Sequence, residues 1–314
     1  MYEIVQHRRW YYIFSSLVIL PGLLAMIYAI ITIGSPVRLS IDFTGGTLWE
    51  LRFDQAIPPG EITTTLNDLG LSDVNVNTIG DDRTFVIRTT PISPEQKQEI
   101  LAALTDKFGT PEERQFRAVG PTVGREVTRT AFIAVVMASL VILGFITWAF
   151  RQVTYPFRFG AAAIIAMLHD VLVTVGVFSI MGIFAGWEVD ALFLTALLTV
   201  IGFSVQDTIV VFDRIRENSR RRRGEDFETI ANRSLLETMQ RSIATQINAM
   251  FVMIALLIFG GPTIREFFAT LLIGLLSGTY SSIFIATPLL VSWQKGEGIF
   301  GIFGRGRTRQ PAAA

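Results

Sequence analysis

Six long apolar runs, each almost free of charge, constrain this 314-residue chain more than any other feature of it. Trp10 to Val37 and Thr130 to Phe150 carry no charged residue. Phe159 to Ile183 is interrupted only by His169 and Asp170, and Ala191 to Phe212 only by Asp207. Ser242 to Phe259 and Phe267 to Trp293 complete the set. Each run approaches or exceeds the roughly 20 residues that cross about 30 Å of hydrocarbon. A segment in lipid must satisfy its own backbone hydrogen bonds, so runs of this kind are read as transmembrane helices. The fold class predicted is a polytopic α-helical membrane protein with six transmembrane helices. Composition agrees, since only 17% of residues are charged, against about a quarter in soluble domains. With no cysteine, disulfides, thiol catalysis and thiolate metal sites are excluded. The two histidines, His7 and His169, are far apart in the chain, which argues against a His-based metal centre. The first run is too long for a cleavable leader and no small-residue cleavage site follows it, so it is read as a retained span.

Lysines and arginines in the short loops set the orientation. One side collects Arg8, Arg9, Arg151, Arg158, Arg214, Arg216, Arg220 to Arg223, Arg233, Lys295, Arg305, Arg307 and Arg309. On the other side Phe184 to Asp190 has no positive residue, and Gly260 to Glu266 has only Arg265. The predicted organisation is a cytoplasmic N-terminus and first span over 1–33, an extracytoplasmic domain over 34–129, spans two to six over 130–293, and a cytoplasmic tail over 294–314. Asp226 to Gln240 reads as an amphipathic helix along the cytoplasmic interface. Gly274 and Gly278 form a GxxxG in the sixth span, a signal for close helix contact.

The 34–129 segment reads as a small α+β domain. Thr47 to Phe53 alternates as a strand does, and Pro58 to Leu69 has a helical pattern. Val74 to Ile79 and Arg83 to Thr89 read as strands joined by a Gly80-Asp81-Asp82 turn. Ser93 opens a helix with a capping box to Gln96, ending near Gly109, and a last strand falls over Arg114 to Val119. The order β-α-β-β-α-β predicts a ferredoxin-like fold, which by itself assigns no function.

Carboxylates inside spans cost a few kcal/mol to insert and commonly mark ion or proton routes. Asp207 lies seven residues before Arg214, hence about 10 Å inside the interface. It is either a proton-carrying group or an inert polar contact between helices. Asp170, twelve residues after Arg158, lies roughly 18 Å deep; a buried carboxylate bonded to neighbouring Ser, Thr or backbone groups is the competing reading. His169 is its neighbour in sequence, but adjacent helical residues point about 100° apart and need not meet. Thr238, Arg241, Thr245 and Asn248 recur at helical spacing as one polar stripe. Arg241 is either a counter-charge for Asp207 or a cation snorkelling to the interface.

Asp42-Phe43-Thr44-Gly45-Gly46-Thr47 after the first span resembles the signature of the SecD/SecF family of protein-export membrane proteins, on its SecF side. Val119-Gly120-Pro121 through Gly124, His169-Asp170-Val171, and Ile201 to Asn218 with its Phe203-Ser204-Val205-Gln206-Asp207 core are similar to that family too. So are Asn232-Arg233-Ser234-Leu235 and Gly278-Thr279-Tyr280-Ser281-Ser282. The family sits in the resistance-nodulation-division group of proton-driven transporters. The resemblance implies a non-enzymatic accessory subunit of the Sec translocon in the bacterial plasma membrane, without cofactor, metal or nucleic acid. Its implied partners are SecD, which would supply six further spans, the SecYEG channel, the preprotein on the extracytoplasmic side, the lipid bilayer and protons. By position, Asp207 and Arg241 match the family's proton-transport residues, and Asp170 matches a family position of less defined role. Gln206 and Phe203 depart from the Asn and Tyr common there, which predicts altered hydrogen bonding around Asp207. A small-molecule or lipid exporter of the same group is the alternative; such proteins usually carry two large external domains and about twelve spans in one chain.

Overall fold

A computed structural model describes residues 3–222 and 224–296. Arg223 and the predicted tail beyond Gly296, with Arg305, Arg307 and Arg309, lie outside the described residues. The described residues form two compact units, one from those up to residue 38 together with those from 134 onward, the other over residues 39–133.

In chain order, a short 3-10 turn, Val5–His7, leads into α1, Arg8–Ile33, and then α2, Ile41–Thr44. β1 (Gly46–Arg52), α3 (Pro59–Asp68), β2 (Asn75–Thr78), β3 (Thr84–Thr89), α4 (Pro94–Phe108) and β4 (Glu112–Val119) follow. Next come α5 (Pro121–Ala149), α6 (Pro156–Ala185), α7 (Ala191–Arg221) and α8 (Phe227–Phe259). A five-residue π turn, Ser282–Ala286, separates α9 (Pro262–Ser281) from α10 (Thr287–Gln294). Among the described residues, six helical segments are long and apolar enough to cross a membrane, including Ile264–Gln294 taken across that turn.

The smaller unit has the predicted order of elements. Its strands lie as β2-β3-β1-β4, every neighbouring pair antiparallel, which is the split β-α-β arrangement of a ferredoxin-like sheet. Period-2 alternation explains the core. Trp49, Leu51 and Phe53 turn inward from β1 and its end, and Phe85 and Ile87 from β3. Ile62 and Leu66 of α3, with Ile100 and Leu104 of α4, close over them. Each fully buried large side chain contributes about 1.5–3 kcal/mol. The predicted capping box is formed: the Ser93 hydroxyl accepts from the Gln96 N–H while the Gln96 side chain accepts from the Ser93 N–H.

In the larger unit α6, α7 and α9 form the interior, and α1, α5 and α8 expose most of their apolar surface. Lipid is as apolar as leucine, so packing geometry rather than burial from water must hold such helices together. Glycines supply it. The backbones of α1 and α6 cross at Gly22 and Gly176, where a Cβ on either residue would lie within 2.9 Å of the other's Cα. Gly274 of α9 receives the Val200 side chain of α7, so the predicted GxxxG is a helix contact. Phe159 of α6 stacks on Phe150 at 5.3 Å and meets Phe212 of α7 edge-on at 5.2 Å.

Several helices run longer than predicted, α7 continuing from Phe212 to Arg221. α5 begins at Pro121, nine residues before the apolar run, because no break separates Thr122–Arg129 from it. The expected interfacial helix over Asp226 to Gln240 is instead the first half of α8, capped by Asp226, whose carboxylate accepts from the Glu228 N–H. At 33 residues α8 is about 50 Å long, so its charged first half extends past about 30 Å of hydrocarbon.

Candidate functional site

On α7 the buried residues Ser204, Asp207, Thr208 and Val211 recur at three- and four-residue spacing, placing one polar face toward the bundle interior. Asp207 is 6% exposed. Its Oδ2 accepts from the Gln246 side-chain amide of α8 at 2.5 Å. Among the described residues it makes no ion pair within 4 Å. Arg241 makes no hydrogen bond or ion pair with it among the described residues. The Arg241 side chain is exposed and opens on a cavity of about 500 Å3 between α5, α7 and α8. Within that cavity Arg214 is paired with Glu217 and Glu237, and Arg216 with Asp213.

The polar stripe expected on this helix is therefore turned. Arg241, Thr245 and Asn248 are exposed, and the inward row is Thr238, Ser242 and Gln246 at four-residue spacing. Gln246 was the residue to find, and the regular Thr-Ser-Gln spacing was its signal. Neither Gln206 nor Phe203 reaches Asp207 with a hydrogen bond among the described residues. Gln206 is exposed, while Phe203 packs against the apolar cluster of α8 and α9.

Asp170, on α6, is built differently. It is fully buried, and three hydroxyls and one ring nitrogen converge on its carboxylate. Ser204 of α7 and Ser281 of α9 each donate to Oδ2 at 2.6 Å, and Ser277 of α9 donates to Oδ1 at 2.6 Å. His169 Nδ1 lies 3.0 Å from Oδ1, so the neighbours in sequence do meet. Gly278 packs beside this carboxylate, its Cβ position in ordinary van der Waals contact with Oδ2 at 3.6 Å and the Ser204 Cα at 3.4 Å. The competing reading of Asp170 expects Ser or Thr partners but does not single out these three, although Ser204 sits one turn before Asp207 and Ser277 and Ser281 share a helix face.

The Asp42 to Gly46 signature makes a tight joint in the smaller unit. Ser40 caps α2 by accepting from the Asp42 N–H, and the Asp42 carboxylate accepts from Arg117 of β4 at 2.5 Å. Gly45 has φ 75 and ψ 173, a region open in practice only to glycine. A Cβ there would lie 2.9 Å from the Pro121 Cα, and one on Gly124 would lie 2.7 Å from the Phe43 carbonyl oxygen. The first turn of α5 is thus locked against α2 and the start of β1.

Residues 99–296 match the family described as "Protein export membrane protein SecD/SecF, C-terminal", and residues 30–57, which hold the Gly45–Gly46 joint, match "SecD/SecF GG Motif". The chain belongs to the SecD/SecF family. It is 48% identical to the protein translocase subunit SecF of Thermobaculum terrenum, over 100% of this chain and 99% of that one. It is also 48% identical to the SecF of Anaerolinea thermophila, over 95% and 96% respectively. Among solved structures it resembles the translocon-associated membrane protein SecDF from Thermus thermophilus, with a TM-score of 0.76 and 30% identity over 93% of this chain. It matches only 38% of that longer chain, so it spans about two fifths of the SecDF proteins it resembles. As a SecD/SecF member with six membrane-crossing helices, it is a multi-pass membrane protein of the protein-export class.

Proposed function

We propose that this chain is an accessory subunit of the Sec translocase that works with a SecD partner and uses the proton motive force to drive late preprotein export. The observation that carries the reading is Asp207, a buried carboxylate in a membrane-crossing helix that is held by one neutral amide and by no ion pair among the described residues. A carboxylate so placed gains or loses a proton without breaking a salt bridge. Asp207 binds and releases the proton, Arg241 sets its affinity through charge, and Asp170 is a secondary proton site. Moving one charge through 100 mV supplies about 2.3 kcal/mol, so a few protons per cycle support a helix rearrangement.

In this reading both termini are cytoplasmic in a bacterial plasma membrane, because the arginine-rich loops lie on that side. The smaller unit is then extracytoplasmic, where it contacts the emerging preprotein, and SecYEG is the channel served. Full-length similarity to translocase subunits favours this reading over a small-molecule or lipid exporter. The test is preprotein translocation into inverted vesicles carrying this chain and a SecD partner under an imposed proton gradient. Asp207→Asn removes gradient-dependent stimulation while the complex still assembles. Persistence of that stimulation refutes Asp207 as the coupling group.

A further inference from the structure

Three hydroxyls reach Asp170, and one of them differs from the others. Ser281 Oγ lies 2.6 Å from Asp170 Oδ2 and also 3.3 Å from the carbonyl oxygen of Gly278. A hydroxyl has a single proton to donate, so Ser281 has two acceptors for one hydrogen. Ser204 and Ser277 have no second acceptor among the described residues. Ser281 is also the last residue of α9, and the Gly278 carbonyl accepts the N–H of Ser282, the first residue of the π turn. Such π turns within helices are frequent at functional sites.

We propose that Asp170 takes up a proton on Oδ2 and that Ser281 accommodates it by turning its own O–H onto the Gly278 carbonyl. The new acid O–H then donates to the Ser281 oxygen, and no donor is expelled. Oδ1 becomes the carbonyl oxygen of the acid and keeps both of its donors, Ser277 and His169. The proton is the only atom added, and its arrival changes the hydrogen bonding of Gly278 where α9 gives way to the π turn. Ser281 is a positioning residue, and this inference rests on the reading of Asp170 as a proton-carrying group.

His169 is the fixed donor and not the store. With Nδ1–H on Asp170, its Nε2 is buried and has no hydrogen-bond partner among the described residues. It stands between two apolar grooves of about 260 and 390 Å3, one lined by Phe14, Val18 and Leu276, the other by Ile19, Ile165 and Leu168. A second proton on Nε2 would have no acceptor there, and a buried unpaired N–H costs about 1–3 kcal/mol, whereas one on Asp170 Oδ2 finds Ser281. Of the titratable groups on the elements packed around the pair, those beside it are Tyr12 of α1 and Tyr280 of α9, with Tyr11 against Tyr280 and Asp207 one turn along α7 from Ser204.

The chain has only two histidines, so His7→Gln leaves His169 as a single reporter. We would follow its ring nitrogens by 15N NMR in the full chain in lipid nanodiscs across the pH range in which the chain stays folded. The expected result is a neutral Nδ1–H tautomer throughout, whose Nδ1 resonance moves through one transition that Asp170→Asn abolishes and Asp207→Asn leaves in place. Ser204→Ala and Ser277→Ala remove donors from the carboxylate, raising its proton affinity about tenfold each. Ser281→Ala removes a donor from the ion and an acceptor from the acid, so its shift is less than half as large on the logarithmic scale. An absent transition, a doubly protonated His169, or a Ser281→Ala shift equal to that of Ser204→Ala overturns the proposal. Each of those results leaves the Asp207 reading to its own export assay.

Discussion

Replacing Gly45 by alanine tests whether the glycine pair is a mechanical joint. Gly45 has φ 75 and ψ 173, and holding a residue with a Cβ in that region costs about 1–3 kcal/mol. The added Cβ would lie 2.9 Å from the Cα and 3.1 Å from the nitrogen of Pro121. Those are backbone atoms and cannot turn aside, so overpacking adds about 1–3 kcal/mol. The expected loss is about 2–6 kcal/mol, confined first to the segment that Gly45 anchors. Hydrogen exchange of the full chain in nanodiscs, followed by mass spectrometry of peptides covering β1 and β4, reads this locally. At 1.4 kcal/mol per tenfold, protection there falls by about 30-fold or more. Gly60→Ala is the control. Gly60 lies in the first turn of α3 with open space around its Cβ position, so its substitution leaves protection unchanged or slightly raised. If Gly45→Ala stays within threefold of Gly60→Ala, the joint is not rigid and the geometric reasoning fails.

Two further outcomes follow from the same kind of contact. Gly274→Ala drives a methyl group into Val200 and destabilises α7–α9 packing by about 1–3 kcal/mol, and adding Val200→Ala, which clears both Cγ atoms but leaves the Val200 Cβ 2.9 Å away, restores part of the loss. Thermal unfolding of the chain in one detergent measures both, and a double variant no more stable than the single one refutes the assigned contact. In the smaller unit, the Thr84 hydroxyl, the Arg83 N–H and the nearby Arg52 charge hold the Asp81 carboxyl below its ordinary value. Its contribution to the β2–β3 turn is therefore present above the unfolded value near pH 4 and is lost as pH falls through the lower folded value. Titration of the Asp81 side chain by NMR shows this directly, and Thr84→Val raises the midpoint; an unmoved midpoint shows that the hydroxyl is not the cause.

Much of this chain is legible without coordinates because lipid and water impose periodicity on it. Six apolar runs of span length leave no soluble alternative, and the two-residue alternation of Trp49, Leu51 and Phe53 declares a half-buried strand. The Ser93 capping box and the Gly80-Asp81-Asp82 turn are local chemistry, complete within a few residues, so they read correctly from the chain alone. Asp207 and Asp170 stand out for the same reason, since a carboxylate within an apolar run is anomalous wherever the helices go.

What surrounds those carboxylates was decided only by tertiary structure. Thr238, Arg241, Thr245 and Asn248 make a regular stripe, and so do Thr238, Ser242 and Gln246. Helical spacing offers both, and the choice depends on how α8 is rotated against α7, which is set by contacts distant in sequence. Rotation placed Gln246 on Asp207 and left Arg241 exposed. The same holds for Asp170, whose partners come from α6, α7 and α9 and meet only where those three helices pack together. Sequence determined which residues lipid would find expensive, because that cost belongs to each residue alone. Helix packing decided which groups answer them, because a hydrogen bond requires two atoms within about 3 Å, and no pattern within one helix specifies the partner across the gap.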